Sequence, residues 1–284
     1  MPMKTPACAI FAVVLLATAC SSDDAPTAEP AAITLVTYDS FPDAETSLNE
    51  ALEAFSTETG IAVEILVAGD TGTMLSKAAL TVGNPEGDVM WGIDNTFLSR
   101  ALNEGIFEPA ATPVGAKLPA AFTQLSPDGL AVPVDFGDVC INYDLAWFAD
   151  AGIEPPTSLT DLIEPSYSDL LAVQNPATSS PGLAFLLATI DEFGDDGWQG
   201  YWTALRNNGA RVFDGWTESY YGSFTGAGGS GRPLVVSYGS SPPAEVIFAE
   251  PARKEALTAV IESTCFRQVE FAGILAGTEH PNEA

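Results

Sequence analysis

The sequence predicts an α/β protein of two lobes, with parallel-type sheets and two long strands crossing between them. Three observations carry this. Short β-branched runs alternate with helical patterns along most of the chain, as happens when parallel strands are connected through helices that cover the sheet. Two extended runs, LAVPVDFGDVCINYD (residues 130–144) and TCFRQVEFAGIL (264–275), break that alternation and bracket the middle of the chain. Composition agrees: 284 residues, 46% apolar and 17% charged, suit one large or two medium folded domains rather than a disordered chain.

Taken in order, ITLVTY (33–38) reads as a strand and residues 46–59 as a helix stopped by Gly60. VEILVAG (63–69) is the next strand, 73–82 the next helix, DVMWGI (88–93) a third strand and 95–104 a helix closed by Gly105. Beyond the first long run, Ser158 caps a short helix. LAVQNP (171–176) is a strand, 181–192 and 198–207 are helices, and LVVSYG (234–239) is a strand. GAGGSGRP (226–233) precedes a strand instead of a helix, so it reads as a flexible loop and not a phosphate cradle. The last residues, GTEHPNEA, read as a helix start with Thr278 as cap and Pro281 in the first turn. Three residues do not make a helix, so the expectation is a chain whose C-terminal part is incomplete. The expected division is lobe 1 over 33–135 plus 268–284 and lobe 2 over 136–267, with hinge strands near 132–143 and 264–272.

The N-terminus has a different character. One Lys, a short apolar run and small residues ending in Cys20 have the layout of an export signal over 1–19, and Ala-Thr-Ala-Cys resembles a bacterial lipobox in which Cys20 is lipidated. Residues 20–32 follow as a polar tether. The expected product is a monomeric globular body attached to a membrane by a lipid alone. Processing leaves Cys140 and Cys265 on the two crossing runs: a disulfide in an oxidising compartment, or else two buried thiols.

Net charge is −28 with only ten scattered Lys and Arg, which excludes a nucleic-acid partner. The single histidine, His280, excludes a Ser-His-Asp triad and a His-based metal site. No catalytic or metal residue and no cofactor is expected.

Binding chemistry gathers where strands end and helices begin, at Tyr38, Asp39 and Ser40; at Asp94 and Asn95; at Thr178, Ser179 and Ser180; and at Tyr238, Ser240 and Ser241. Ligands of open α/β sheets bind beyond the carboxyl ends of strands, beside free helix N–H groups, and four such junctions split between two lobes describe a cleft. Each polar residue taken singly is also an ordinary helix cap. DGWTESYYGSF (214–224) adds aromatics: on a helix Trp216 and Tyr220 share a face and Tyr221 points elsewhere. They are core residues or a surface that covers a flat cationic ring, to which faces and carboxylates are both suited.

TYDSF, GIDN, VPVDFGDVCINYD, NPATSSPGLAFLL, GWTESYYGSF and SYGSSPP together resemble the thiamine-binding members of the periplasmic solute-binding proteins that serve ABC importers. The resemblance runs from about Ile33 to the end and implies the two-lobe, type II periplasmic-binding-protein fold. It further implies a ligand, thiamine or thiamine phosphates, and as partners the permease subunits of an importer. By position it implies Tyr38 and Asp94 in the first lobe's cleft and Ser179 and Ser180 at a phosphate end. Trp216 and Tyr220 fall on an aromatic wall, and Tyr238, Ser240 and Ser241 on a later wall, with Asp135 and Gly137 near the hinge. Two other readings remain: the same class with a polyamine or ferric ion, for which Tyr220 and Tyr221 imitate a tyrosine pair, and a secreted hydrolase with a carboxylate pair.

Overall fold

A computed structural model describes residues 31–42, 46–110, 118–126 and 128–284, and residues 31–284 make one compact body. The export-signal segment, Cys20 and nearly all of the tether lie outside the described residues.

The first half alternates as its patterning requires: β1 (Ala32–Thr37), α1 (Ser47–Thr59), β2 (Ala62–Val67), α2 (Thr71–Leu80), β3 (Val89–Asp94), α3 (Leu98–Asn103) and the short β4 (Phe107–Glu108). Local chemistry marks the ends. Thr46 and Asn49 form a reciprocal cap on α1, and Gly60 ends it at φ 75°, a left-handed conformation a side chain would resist. Then come α4 (Ala120–Thr123), β5 (Val132–Asp144), α5 (Leu145–Ala151), β6 (Leu171–Gln174), α6 (Ser180–Asn207), β7 (Arg211–Phe213), β8 (Leu234–Tyr238), α7 (Ser241–Ile247) and β9 (Thr258–Leu275). The two helices expected over 181–207 are the halves of α6, separated at Gly194, whose φ of 68° and ψ of 174° are non-helical.

Among the described residues nine strands join one mixed sheet in the order β2-β1-β3-β9-β5-β8-β6-β7, with β4 also on β9. β1 is parallel to β2 and β3, and β6 to β7 and β8, whereas β9 is antiparallel to β3 and to β5, and β5 to β8. The two parallel sets therefore run in opposite senses, and both end against the middle of the β5–β9 pair. Register shows it: Asp94 at the end of β3 lies opposite Glu270, which lies opposite Asp135, while Tyr238 at the end of β8 lies opposite Val139. The core divides in the same way. One cluster packs Met74, Leu75, Met90, Ile93 and Phe271; a second packs Ile141, Val173, Phe185, Leu205 and Leu234. Cys140 and Cys265, on the crossing strands, are joined as a disulfide.

Three expectations need correction. The glycine-rich loop at 226–233 is packed, not flexible: Gly229 and Gly231 donate to the carbonyls of Phe224 and Ser223 at 2.9 Å, and a Cβ on Gly229 would meet the Ser223 backbone at 2.6 Å. The terminal residues form a turn from His280 instead of a helix; the Thr278 hydroxyl donates to Asp88, and its Oγ1 accepts from the His280 N–H. The segment after Trp216 is a π-helix (Glu218–Ser223), wound more widely than an α-helix, with Phe224 N–H donating five residues back to Ser219. Tyr221 consequently does not point elsewhere but meets Trp216 edge-on, with ring centroids 5.4 Å apart.

Candidate functional site

Where the two sets of strand ends converge there is a cleft of about 500 Å³. Its first-half wall is Tyr38, Asp39 and Ser40, directly after β1; its second-half wall is Trp216, Thr217 and Tyr221, with Tyr238 at the end of β8 and Ser240 and Ser241 just beyond it. The crossing strands supply the floor, Asp135, Phe136 and Gly137 from β5 and Gln268 and Glu270 from β9. Four aromatic side chains with polar handles and three carboxylates thus face one space, and among the described residues no Lys, Arg or His lines it.

Each ring is held. Tyr38 sits over Gly92, where φ is 120° and a Cβ would come 2.3 Å from the tyrosine ring, so only glycine admits it. Its hydroxyl donates to Glu270 Oε2 at 3.3 Å, and Trp91 Nε1–H donates to the same oxygen at 3.0 Å. Trp216 stacks on Tyr220 at 4.7 Å and 15°, and its Nε1–H donates to Ser237 Oγ at 2.9 Å. Such stacking contributes about 0.5–1.5 kcal/mol beyond area burial and fixes the indole plane at the cleft.

The floor is electrostatically unusual. Glu270 lies buried opposite Asp135 in the β5–β9 register. Burial, then the charges of Asp135 and Asp94, push its pKa up to about 8, against the lowering effect of its bonds from Trp91 and Tyr38. Burial also raises Asp135 and Asp39 above the ordinary carboxylate range. Tyr38 and Tyr238 are held neutral, first by burial and then by the Glu270 charge. A site that keeps carboxylates against their desolvation cost and offers them no internal cation is suited to a cationic ligand.

Several residues expected at the site stand elsewhere. Asp94 is fully buried behind the cleft; its Oδ1 accepts from the Thr96 and Phe97 N–H groups and closes the turn that leads into α3. Asn95 is spent on β9, accepting from Val269 N–H and donating to Arg267 O. Tyr220 is a buried member of a small core with Phe224 and Val235, and its hydroxyl donates to Glu245 at 3.2 Å in an adjacent hollow. Ser179 and Ser180, at the start of α6, are buried with hydroxyls facing Asp70 and Asp94, without well-formed hydrogen bonds.

That last contact is part of a seam between the halves. Asp70 Oδ2 accepts from Trp216 N–H at 3.1 Å, and Gly72 N–H donates to Thr178 O at 2.8 Å. The helix start that sequence assigned to a ligand is closed by carboxylates of the facing half. Sequence reasoning missed Asp70, Phe136, Thr217, Gln268 and Glu270. In RQVEFAG the alternation on β9 is visible, but which face meets the cleft depends on pairing across the sheet.

Comparison with known proteins agrees with this architecture. The pattern of the bacterial extracellular solute-binding protein family matches residues 85–238. The chain is 30% identical over 249 residues to a thiamine-binding periplasmic protein of Brucella suis, covering 87% of this chain and 69% of that one. It is 28% identical over 253 residues to the thiamine-binding periplasmic protein of Escherichia coli, with coverages of 89% and 73%. A solved periplasmic thiamin binding protein superposes with a TM-score of 0.71 at 28% identity, covering 88% of this chain and 74% of that one. Iron-bound HitA from Pseudomonas aeruginosa, at 18% identity and a TM-score of 0.63 over 89% and 78% of the two chains, shares the fold. With two parallel sets of strands facing each other across crossing strands and a cleft between them, the chain belongs to the bacterial extracellular solute-binding proteins.

Proposed function

We propose that the protein is an extracytoplasmic receptor that captures thiamine in the cleft and presents it to the permease of an ABC importer, as a monomer held to the membrane through lipid on Cys20. The observation that carries the ligand is the cleft's lining: the rings of Tyr38, Trp216, Tyr221 and Tyr238 around Asp39, Asp135 and Glu270. Thiamine has two flat rings joined by a methylene and carries a fixed positive charge, so faces and carboxylates act on it together; each cation–π contact contributes roughly 0.5–2 kcal/mol. The names of the relatives from Brucella suis and Escherichia coli support the same ligand.

Thiamine itself suits the site better than its phosphates. At the start of α6 a phosphate group would meet Asp70 and Asp94 at Ser179 and Ser180. The ferric alternative loses its tyrosine pair, since the Tyr220 hydroxyl is held by Glu245. Binding and release, without covalent chemistry, complete the cycle. Calorimetric titration with thiamine, thiamine monophosphate, spermidine and pyridoxine tests the reading. The expected result is saturable one-to-one thiamine binding that weakens by about tenfold or more in Trp216→Ala. Thiamine heats no larger than those of pyridoxine would reject it.

A further inference from the structure

A third hollow, of about 660 Å³, shares no lining residue with the cleft and has the opposite electrical character. It lies between the second half of α6 and β7, the strand that ends the sheet. On α6, Trp198, Trp202 and Arg206 are spaced by four and form one stripe of the helix, facing Arg211 and Val212 of β7. Arg232 lines it as well, so three of the chain's ten basic residues gather here, and among the described residues no carboxylate is in the lining.

The three guanidinium groups differ in freedom. Arg232 is anchored, its Nη1 donating to Gly209 O at 2.7 Å and Leu171 O at 3.2 Å, with only the exposed Asp169 at 3.8 Å as counter-ion. Burial lowers its pKa, Asp169 opposes that, and the neighbouring Arg211 charge adds to the lowering. Arg211 lies over the Phe213 ring at 4.7 Å; among the described residues neither it nor Arg206 forms an ion pair, and both are exposed. On a chain with 38 acidic residues, two exposed arginines without an ion pair among the described residues line the same hollow as two indoles, a place prepared for negative charge.

We propose that this pocket is a second binding site, for an organic anion with a flat apolar body and a carboxylate: the body lies on Trp198 and Trp202, and Arg206 and Arg211 grip the carboxylate. Guanidinium forks match carboxylates in a bidentate geometry, and indole faces accept flat rings. The proposal is independent of the ligand assigned to the cleft.

The test is calorimetric titration of the full chain with 1-naphthoate, with neutral naphthalene-1-methanol as control, in the parent and in Arg206→Gln/Arg211→Gln. Arg232 is left in place because it supports backbone. The expected result is saturable naphthoate binding that weakens with added salt, is absent for the neutral analogue and falls by about tenfold or more in the double variant. An unchanged circular dichroism melt shows that the variant is folded, and the salt titration on the parent needs no variant. No saturable naphthoate binding to the parent, equal binding of the neutral analogue, or unchanged binding in the variant would each overturn the proposal. A failure of thiamine to bind the same samples bears on the cleft alone.

Discussion

Glu270→Gln puts the acidic floor of the cleft to a quantitative test. The parent carboxylate, with a pKa raised to about 8 by burial and by Asp135 and Asp94, is mostly protonated at pH 6. A cationic ligand is served by the ionised form, so binding releases a proton from the Asp135–Glu270 pair. With a pKa of about 8, roughly one molecule in a hundred is ionised at pH 6 and about half at pH 8, so apparent thiamine affinity should rise about fiftyfold from pH 6 to pH 8. Glutamine retains an oxygen for the Tyr38 hydroxyl and Trp91 Nε1–H, so the variant keeps the cleft's shape. Its affinity should be flat with pH and, at pH 8.5, about tenfold or more below the parent. Calorimetry in two buffers of different ionisation enthalpy counts the released proton. Affinity independent of pH in the parent, with no proton released, would refute this account of the floor.

Three further outcomes follow from the same geometry. Ligand-free stability of the parent should decline as pH rises from 4.5 to about 8, because the folded state keeps the Glu270 proton that the unfolded chain has lost; Glu270→Gln should remove up to about 5 kcal/mol of that decline in urea melts. Gly72→Ala places a Cβ 2.5 Å from Ala177 O and 2.9 Å from Thr178 Cα, both backbone, so the halves are wedged apart; thiamine affinity should drop about tenfold or more and the radius of gyration by X-ray scattering should rise, and unchanged values of both would refute the seam. Cys140→Ser/Cys265→Ser opens a link between residues 125 apart and should lower stability by about 2–5 kcal/mol, read from the urea midpoint in oxidising buffer.

The glycines show how two positions of one residue type carry different information. Gly60 was legible, since a helix period followed by Gly predicts the left-handed stop that the structure has. Gly92 was not: its role is to admit the Tyr38 ring, which arrives from another strand. The same division runs through the site. Tyr38, Asp39, Trp216, Tyr238, Ser240 and Ser241 were readable because strand ends and helix starts are marked by nearby residues, and all six line the cleft. Tyr221 was misplaced because α- and π-windings have the same residue pattern and differ in hydrogen bonding five residues apart.

By itself the sequence determined the alternation of strands and helices, the two long crossing runs and the aromatic and acidic residues at the strand ends, all of which follow from periodicity and capping within a few residues. Only the tertiary structure decided that Glu270 and Asp135 face each other in the floor, that Asp94 and Ser180 are sealed together behind it, and that scattered arginines and two tryptophans line one hollow at the sheet edge. Strand register and the approach of the two halves bring together residues far apart in the chain, and a one-residue slip of β9 would turn Glu270 from the cleft to the opposite face.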